Sequence, residues 1–281
     1  MNLDRYLERS GRLVAAVALF CAVLLSLVWN VILRQIESNR AATLESAIQR
    51  NNNLVVTLEQ QAIRTIRNAD ALLQLVRYEY AMSGMRLELR DLLERGVIDM
   101  HYVAGVSLID ENGRMQVSNE PIPAAAVDVS DREHFYFHKR YKDSLYISQP
   151  FLSRMLGVTV IVLSRRLNNP DGSFAGTVVV QIEPRTFTRF YAQANLRPND
   201  IISLIAPDGI TYARRTGKVE SWGEDIHQSP LFIHVAKNPV GNYFASDAIR
   251  HIPTWFSYRK LSDYPMIATV GSSEDDILAE H

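Results

Sequence analysis

One cysteine, Cys21, is all that the 281 residues contain, and it lies inside an apolar run. A disulfide framework, a cysteine-based metal site and paired thiol chemistry are therefore excluded. Net charge is scarce too: 30 basic and 31 acidic side chains leave −1. No stretch carries the dense Lys/Arg run that binding a phosphate backbone requires, so nucleic acid is not an expected partner. Glycine and proline are missing between Arg34 and Ala81, and nothing there breaks a helix. Catalytic signatures are missing as well. There is no Gly-rich phosphate loop, no Ser/His/Asp or Cys/His arrangement and no pair of carboxylates placed to split their pKa values. Neither an enzyme nor a cofactor is expected.

The long uncharged stretch is Leu13 to Leu33, 21 residues that as a helix would rise about 31 Å, one bilayer core. A membrane anchor is expected. A cleaved signal peptide is the competing reading, but its apolar region is shorter, about 7 to 15 residues, and no small-x-small site follows closely. Arg5, Arg9 and Arg12 precede the span while Arg34, Arg40 and Arg50 follow it, so the charge count does not orient it. Next, Leu44, Ile48, Val55, Leu58, Ala62, Ile66, Ala69, Leu73 and Val76 recur at spacings of three and four, the mark of one amphipathic helix. Such a helix would reach on the order of 70 Å from the membrane as a stalk. Asn51 falls on its stripe. Two readings stand: a buried Asn setting the register of a dimeric coiled coil, or a helix whose upper half lies along its own sheet.

Beyond Ser83-Gly84 and a short amphipathic piece, Leu87 to Gly96, the pattern turns to strands. Tyr102 to Asp110 runs into Glu111-Asn112-Gly113 and MQVSN, a hairpin signal. EPIPAAAVDVS is a loop. Ser130 and Glu133 have capping-box spacing for a helix holding DREHFYFHKR. Two long strands, Leu156 to Leu167 and Gly172 to Pro184, meet across a turn marked by Asp171-Gly172. VSLIDENGRMQ from Val106 aligns with ISLIAPDGITY from Ile202 at a constant offset of 96 residues, so a repeat is present. Ser272 or Ser273 opens a last helix with acids in its first turn. The expected fold class is α+β: a membrane helix, a stalk helix, then two similar units with antiparallel sheets. The division is a tail at 1–12, the membrane helix at 13–33, the stalk at 34–84, a first unit at 85–195 and a second at 196–281.

In combination, SLIDENGR (from Ser107), SDREHFYFHKR (from Ser130), ISQPFLSRMLG (from Ile147), LSRRLNNPDGSFAGTVVVQIEP (from Leu163), TFTRFYA (from Thr186) and YRKLSDYPMIATVG (from Tyr258) resemble one family. It is the double Cache (tandem PAS-like) extracytoplasmic sensor domain, found ahead of GGDEF-type diguanylate cyclases and sensor histidine kinases. The resemblance implies a single-pass inner-membrane protein with two PAS-like units in the periplasm, the distal one holding the ligand pocket. It also implies a second membrane helix and a cytoplasmic output domain, neither of which, like any GGDEF motif, is within these residues. Homodimerisation through the stalk is a further expectation.

Arg132, His134, Tyr136 and His138 lie on the segment from which pockets of that family draw. Alternation puts Val160, Val162, Ser164 and Arg166 on one strand face, with Ile161, Leu163 and Arg165 on the other. Gln181 and Glu183 share a face of the next strand, and Ser148 and Arg154 sit in the intervening segment. An arginine-rich pocket suits a carboxylate, because guanidinium is a planar fork; Glu183 would meet an amine. These ten residues are the candidate ligand contacts. Each has a plainer reading: Arg132 paired with Asp128 on the surface, the aromatic run as core wall, and His134 and His138 without the third ligand a metal needs. Phe187, Phe190 and Tyr191 are spaced as a helix core face. A small metabolite, carboxylate or amino-acid-like, is the expected ligand. The alternative is an ectodomain that binds no ligand and serves as spacer or partner surface.

Overall fold

A computed structural model of the chain describes residues 3–84, 87, 89–94, 96, 102–121, 127–141, 144–193 and 196–279. The middle of the Pro/Ala-rich loop (122–126) and the side chains of Arg5, Arg9 and Arg12 lie outside what it describes. Helix α1 runs unbroken from Leu3 to Ser83, and Gly84 follows with φ 65°, where a left-handed residue ends a helix cheaply. From Leu19 to Leu33 its apolar side chains, Phe20 and Trp29 among them, face outward on every side. Among the described residues it is the one helix long and apolar enough to cross a membrane.

Each unit is a six-stranded antiparallel sheet. In the first, β1 (Gly105–Asp110), β2 (Met115–Ser118), β3 (Tyr146–Ile147), β4 (Phe151–Leu152), β5 (Thr159–Asn168) and β6 (Phe174–Ile182) run in the order β2-β1-β6-β5-β3, with β4 also on β5. The second has β7 (Ile201–Ile205), β8 (Thr211–Thr216), β9 (Val219–Ser221), β10 (Val240–Ser246), β11 (Pro253–Lys260) and β12 (Ile267–Ser273), in the order β10-β11-β12-β7-β8-β9. Short helices fill the gaps: α2 (Leu89–Glu94), α3 (Glu133–Arg140), α4 (Arg185–Thr188), α5 (Leu231–Lys237) and α6 (Glu274–Leu278).

The repeat is visible down to hydrogen bonds. Gly113 has φ 88° and Gly209 has φ 95°, and a Cβ on either would strike the backbone of the returning chain, at Ser130 and His227. Their carbonyls accept from Val129 and Ile226, and in both units an aspartate, Asp128 or Asp225, accepts from the amide two residues on. One turn chemistry has been used twice.

One apolar cluster runs along α1 from Val55 to Val76 and takes in one face of both sheets, including Val106, Leu163 and Val180 of the first and Ile202, Leu204 and Val270 of the second. Seven of the nine stripe residues, Val55 through Val76, are buried, each large one contributing about 1.5–3 kcal/mol by transfer. The helix is therefore not a free stalk above Ala47; it is the spine on which both sheets lie. Asn51 corrects the coiled-coil reading: it is 1% exposed, donates to Trp255 O at 3.1 Å and accepts from Ser272 Oγ at 2.9 Å. It fixes α1 to β11 and β12 of its own chain. Ion pairs from α1 to Arg165, Asp200, Arg259, Asp263 and Glu274 add to this along the helix.

Two local expectations fail for identifiable reasons. The capping box at Ser130 does not form, because a turn from Val129 to Arg132 delays the helix to Glu133 and makes Arg132 the N-cap without a side-chain bond. Phe190 is 63% exposed whereas Phe187 and Tyr191 are buried. The segment winds as a 3₁₀ turn from Arg189, with about three residues per turn rather than 3.6, which swings position 190 outward. Ser273 caps α6 as expected, accepting from Asp276 N.

Candidate functional site

The face of the first sheet opposite α1 is covered by α3 and by β4 with the turn after it. Strand alternation sends Val160 and Val162 of β5, Ile109 of β1 and Val179 of β6 to this face, as the period of two requires. Beneath the cover is a partly open cavity of about 30 Å³, room for one or two waters. Arg132, His134, Arg154 and Gln181 line it, joined by Phe151, Ser153 and Met155 and by the apolar strand residues.

Phe151 organises the polar side. The Arg132 guanidinium carbon lies 4.7 Å from its ring centroid, and the His134 ring stacks on it at 6.2 Å and 12°. The Arg132 guanidinium makes no hydrogen bond or ion pair among the described residues, so its expected surface partner Asp128 is engaged elsewhere, capping Ser130 N. His134 is buried and its Nε2 has no partner. Burial first, then the nearby His138 ring and the Arg132 guanidinium, push its pKa down to about 4, so the ring is neutral at physiological pH. Arg154, by contrast, is spent: it forks onto Asp131 with two bonds of 2.7 Å and donates to Asp128 O at 2.8 Å. That fork holds the Asp131 carboxyl down at about 2. It also ties the turn after β4 to the start of α3, latching the cover.

On the floor, Gln181 Oε1 accepts from Ser153 Oγ at 2.7 Å, and Ser153 Oγ accepts from Leu156 N. Met155 Sδ accepts from Ser107 and Ser118.

The other candidates do not reach this cavity. Tyr136 is 52% exposed, on the outer side of α3. His138 is fully buried, with Nε2 2.9 Å from Ser164 Oγ and its pKa pushed down to about 4, mainly by burial. Arg166 donates to His138 O at 2.6 Å and Asn168 Oδ1 at 2.7 Å and stacks on Phe174, a cation placed at a helix C-terminus. Arg165, on the other face, bonds Asp70 of α1. Ser148 closes a local loop, accepting from Val162 N and donating to Gln149 O. Glu183 pairs with Arg185 at 2.5 Å in a separate groove past the end of β6. Phe151, Ser153 and Met155 were missing from the sequence list because a two-residue strand followed by a turn has no periodicity to read. Among the described residues, no group of three His, Cys, Asp or Glu could hold a metal.

Wider clefts exist elsewhere. One of about 610 Å³ lies beside Arg214 in the second unit, but that guanidinium is answered by Asp247 at 2.8 Å. The small cavity is distinguished by a guanidinium without an ion pair beside the buried, unpartnered Nε2 of His134.

No protein-family profile and no curated protein matches the chain. Solved structures do. The extracellular domain of rpHK1S-Z16, described as a histidine kinase, is 29% identical with a TM-score of 0.75, covering 85% of this chain and 99% of that one. The ligand-binding domain of the Campylobacter jejuni chemoreceptor Tlp3, solved with 4-methylisoleucine, is 14% identical with a TM-score of 0.56, over 84% of this chain and 94% of that one. That of Mlp24, solved with asparagine, is 14% identical with a TM-score of 0.59, over 86% and 98%. A long N-terminal helix followed by two antiparallel-sheet units is thus the fold of extracellular sensory domains, not of catalytic ones, and the chain is a sensor domain consistent with the double Cache type.

Proposed function

We propose that this chain is the periplasmic sensory part of a single-pass inner-membrane receptor and that its first unit binds a small carboxylate-bearing metabolite. The observation that carries the reading is Arg132: a guanidinium without an ion pair, lining an apolar cavity beside a neutral, unpartnered histidine. Guanidinium and a carboxylate form a charge-assisted fork, and the walls would take an apolar body. The likeness to domains solved with 4-methylisoleucine and asparagine supports a ligand with a carboxylate. Arg132 and His134 are the proposed contacts, with Gln181 on the floor and Arg154 latching the cover. Tyr136, His138, Ser148, Ser164, Arg166 and Glu183 take supporting or unrelated positions.

A second reading has one observation in its favour: at about 30 Å³ the cavity is nearly filled by its own side chains, as in an ectodomain that binds nothing. A thermal-shift screen of organic acids and amino acids, on the chain and on Arg132→Ala, separates the two. Sensing predicts a saturable rise with one class, lost in the variant at unchanged baseline stability. No rise from any class sinks it.

The output reached through the membrane is proposed to be a histidine kinase or a diguanylate cyclase. Dimerisation is proposed through the part of α1 below Ala47, where Ile36 is exposed. With Cys21→Ser, a Leu44→Cys variant should crosslink in membranes; monomer alone removes the dimer.

A further inference from the structure

Resting on the carboxylate reading above, we infer that the ligand is an apolar monocarboxylate without an ammonium group, so that the free acid, not the amino acid of the same skeleton, is what the cavity selects. An α-ammonium brings three donors and a charge, and needs acceptors, preferably a carboxylate. Among the described residues, no Asp or Glu lines the cavity. The acids of every element around it are engaged. Asp131 has both oxygens in the Arg154 fork, and Asp128 caps Ser130 N. Asp110 accepts from Asn112 N, Arg114 N and Gln116. Glu133 faces the Tyr146 hydroxyl, and Glu183 holds Arg185 in another groove.

The neutral acceptors are committed as well. Gln181 Oε1 and Ser153 Oγ serve each other and Leu156 N, and Met155 Sδ takes two hydroxyls. What remains uncommitted is the Arg132 guanidinium, a cation, and Nε2 of His134, which in its Nε2–H tautomer donates to an anion. One free cation answers one carboxylate. Ile109, Val127, Val129, Phe151, Val162 and Val179 offer the body nothing but apolar surface. Among the described residues, a site with one cation, a neutral histidine and no carboxylate is built for half of a zwitterion.

The test uses the full chain in lipid nanodiscs and isothermal titration with matched pairs differing only in the ammonium: propanoate and alanine, 3-methylbutanoate and valine, 4-methylpentanoate and leucine, 3-phenylpropanoate and phenylalanine. The expected result is saturable binding of at least one acid, on the order of 100-fold tighter than its amino acid, the scale of burying an unpaired charge. Binding should be lost in Arg132→Gln. Gln181→Glu, which keeps the Ser153 bond while adding a carboxylate, should bring the amino acid to within about tenfold of the acid. An amino acid that binds the unaltered chain as tightly as its acid overturns this inference and leaves the carboxylate reading standing. Silence from both members of every pair overturns the carboxylate reading itself.

Discussion

Asn51→Ala removes two hydrogen bonds from a position that is 1% exposed, and the structure sets the size of the effect. Ser272 Oγ and Trp255 O lose partners held at 2.9 and 3.1 Å. A typical intramolecular bond contributes about 0.5–1.5 kcal/mol net, and a buried group left unsatisfied costs about 1–3 kcal/mol. The space vacated by the amide is too enclosed for water to restore both bonds, so a loss of about 2–4 kcal/mol is expected. Urea unfolding of the detergent-solubilised chain, followed by fluorescence of the tryptophans in the second unit, reads it as a lower midpoint at unchanged m-value. Asn51→Asp should be at least as damaging, since it keeps the Ser272 acceptor but loses the amide donor to Trp255 and buries a charge. The coiled-coil alternative makes the opposite forecast: a polar residue at a dimer seam is retained at a cost in stability, so Ala would strengthen the dimer and spare the monomer fold. A midpoint shift below about 0.5 kcal/mol, or a change confined to the oligomeric state, would refute the assignment of Asn51 to its own sheet.

Two further outcomes follow from the electrostatics of the first unit. His134 and His138 are held near pKa 4 by burial, against about 6.5 in an unfolded chain. Between those values the unfolded state takes up protons that the folded state refuses. Stability should be flat above about pH 7 and fall by roughly 1–2 kcal/mol per histidine on going to pH 5. Denaturant midpoints at several pH values check this, and His134→Gln should remove about half of the slope; an unchanged slope removes the cause. Arg154→Ala breaks a pair whose side chains are 45% and 59% exposed, so stability should hardly change. The Asp131 carboxyl, now held at about 2, should return to the ordinary carboxylate range in a carbon-13 titration. An unmoved midpoint would show that the fork is not its cause.

What the sequence made legible was whatever has a period or a turn code. The α1 stripe, the Asn112-Gly113 hairpin and the two long strands were readable because spacing of 3.6 or 2 survives in the letters, and the repeat because the same turn recurs at Gly113 and Gly209. The alternation on β5 correctly separated Val162 from Leu163 and Arg166 from Arg165. What Asn51 touches was not legible, since a polar residue on an apolar stripe reads the same whether its partner is a second helix or a strand more than 200 positions away. The candidate site divided similarly. Arg132 and His134 were visible as chemistry on a short helix. Their separation from Tyr136 and His138 was not visible: Tyr136 lies on the outer side of α3, and His138, one turn on from His134, meets Ser164 instead of the cavity.

The remaining question is how a ligand under α3 would reach the membrane, and the spacing of side chains along β5 narrows the answer. Val162 walls the cavity while Ile161 and Leu163 pack on α1, so one strand carries both surfaces, and Arg165 on the same strand grips Asp70. Expanding a cavity of about 30 Å³ to admit any metabolite must displace the cover, the strand or both. If the strand moves, α1 moves at Asp70. Below that point the helix is held to the second unit by exposed ion pairs at Arg40 and Arg67, worth about 0–1 kcal/mol each, and by more buried links between Arg50 and Glu59: the Arg50–Asp200 and Glu59–Arg259 pairs and the Asn51 bonds. The exposed links can slide and the buried stretch around Asn51 resists, so α1 should pivot about that stretch rather than translate. Spin labels at the exposed positions Gln74, Asn53 and Glu45, each paired with one on the second sheet, distinguish the two motions. A pivot gives large ligand-dependent distance changes at Gln74 and Glu45 and almost none at Asn53, whereas equal changes at all three would mean that α1 slides and that Asn51 is no fulcrum.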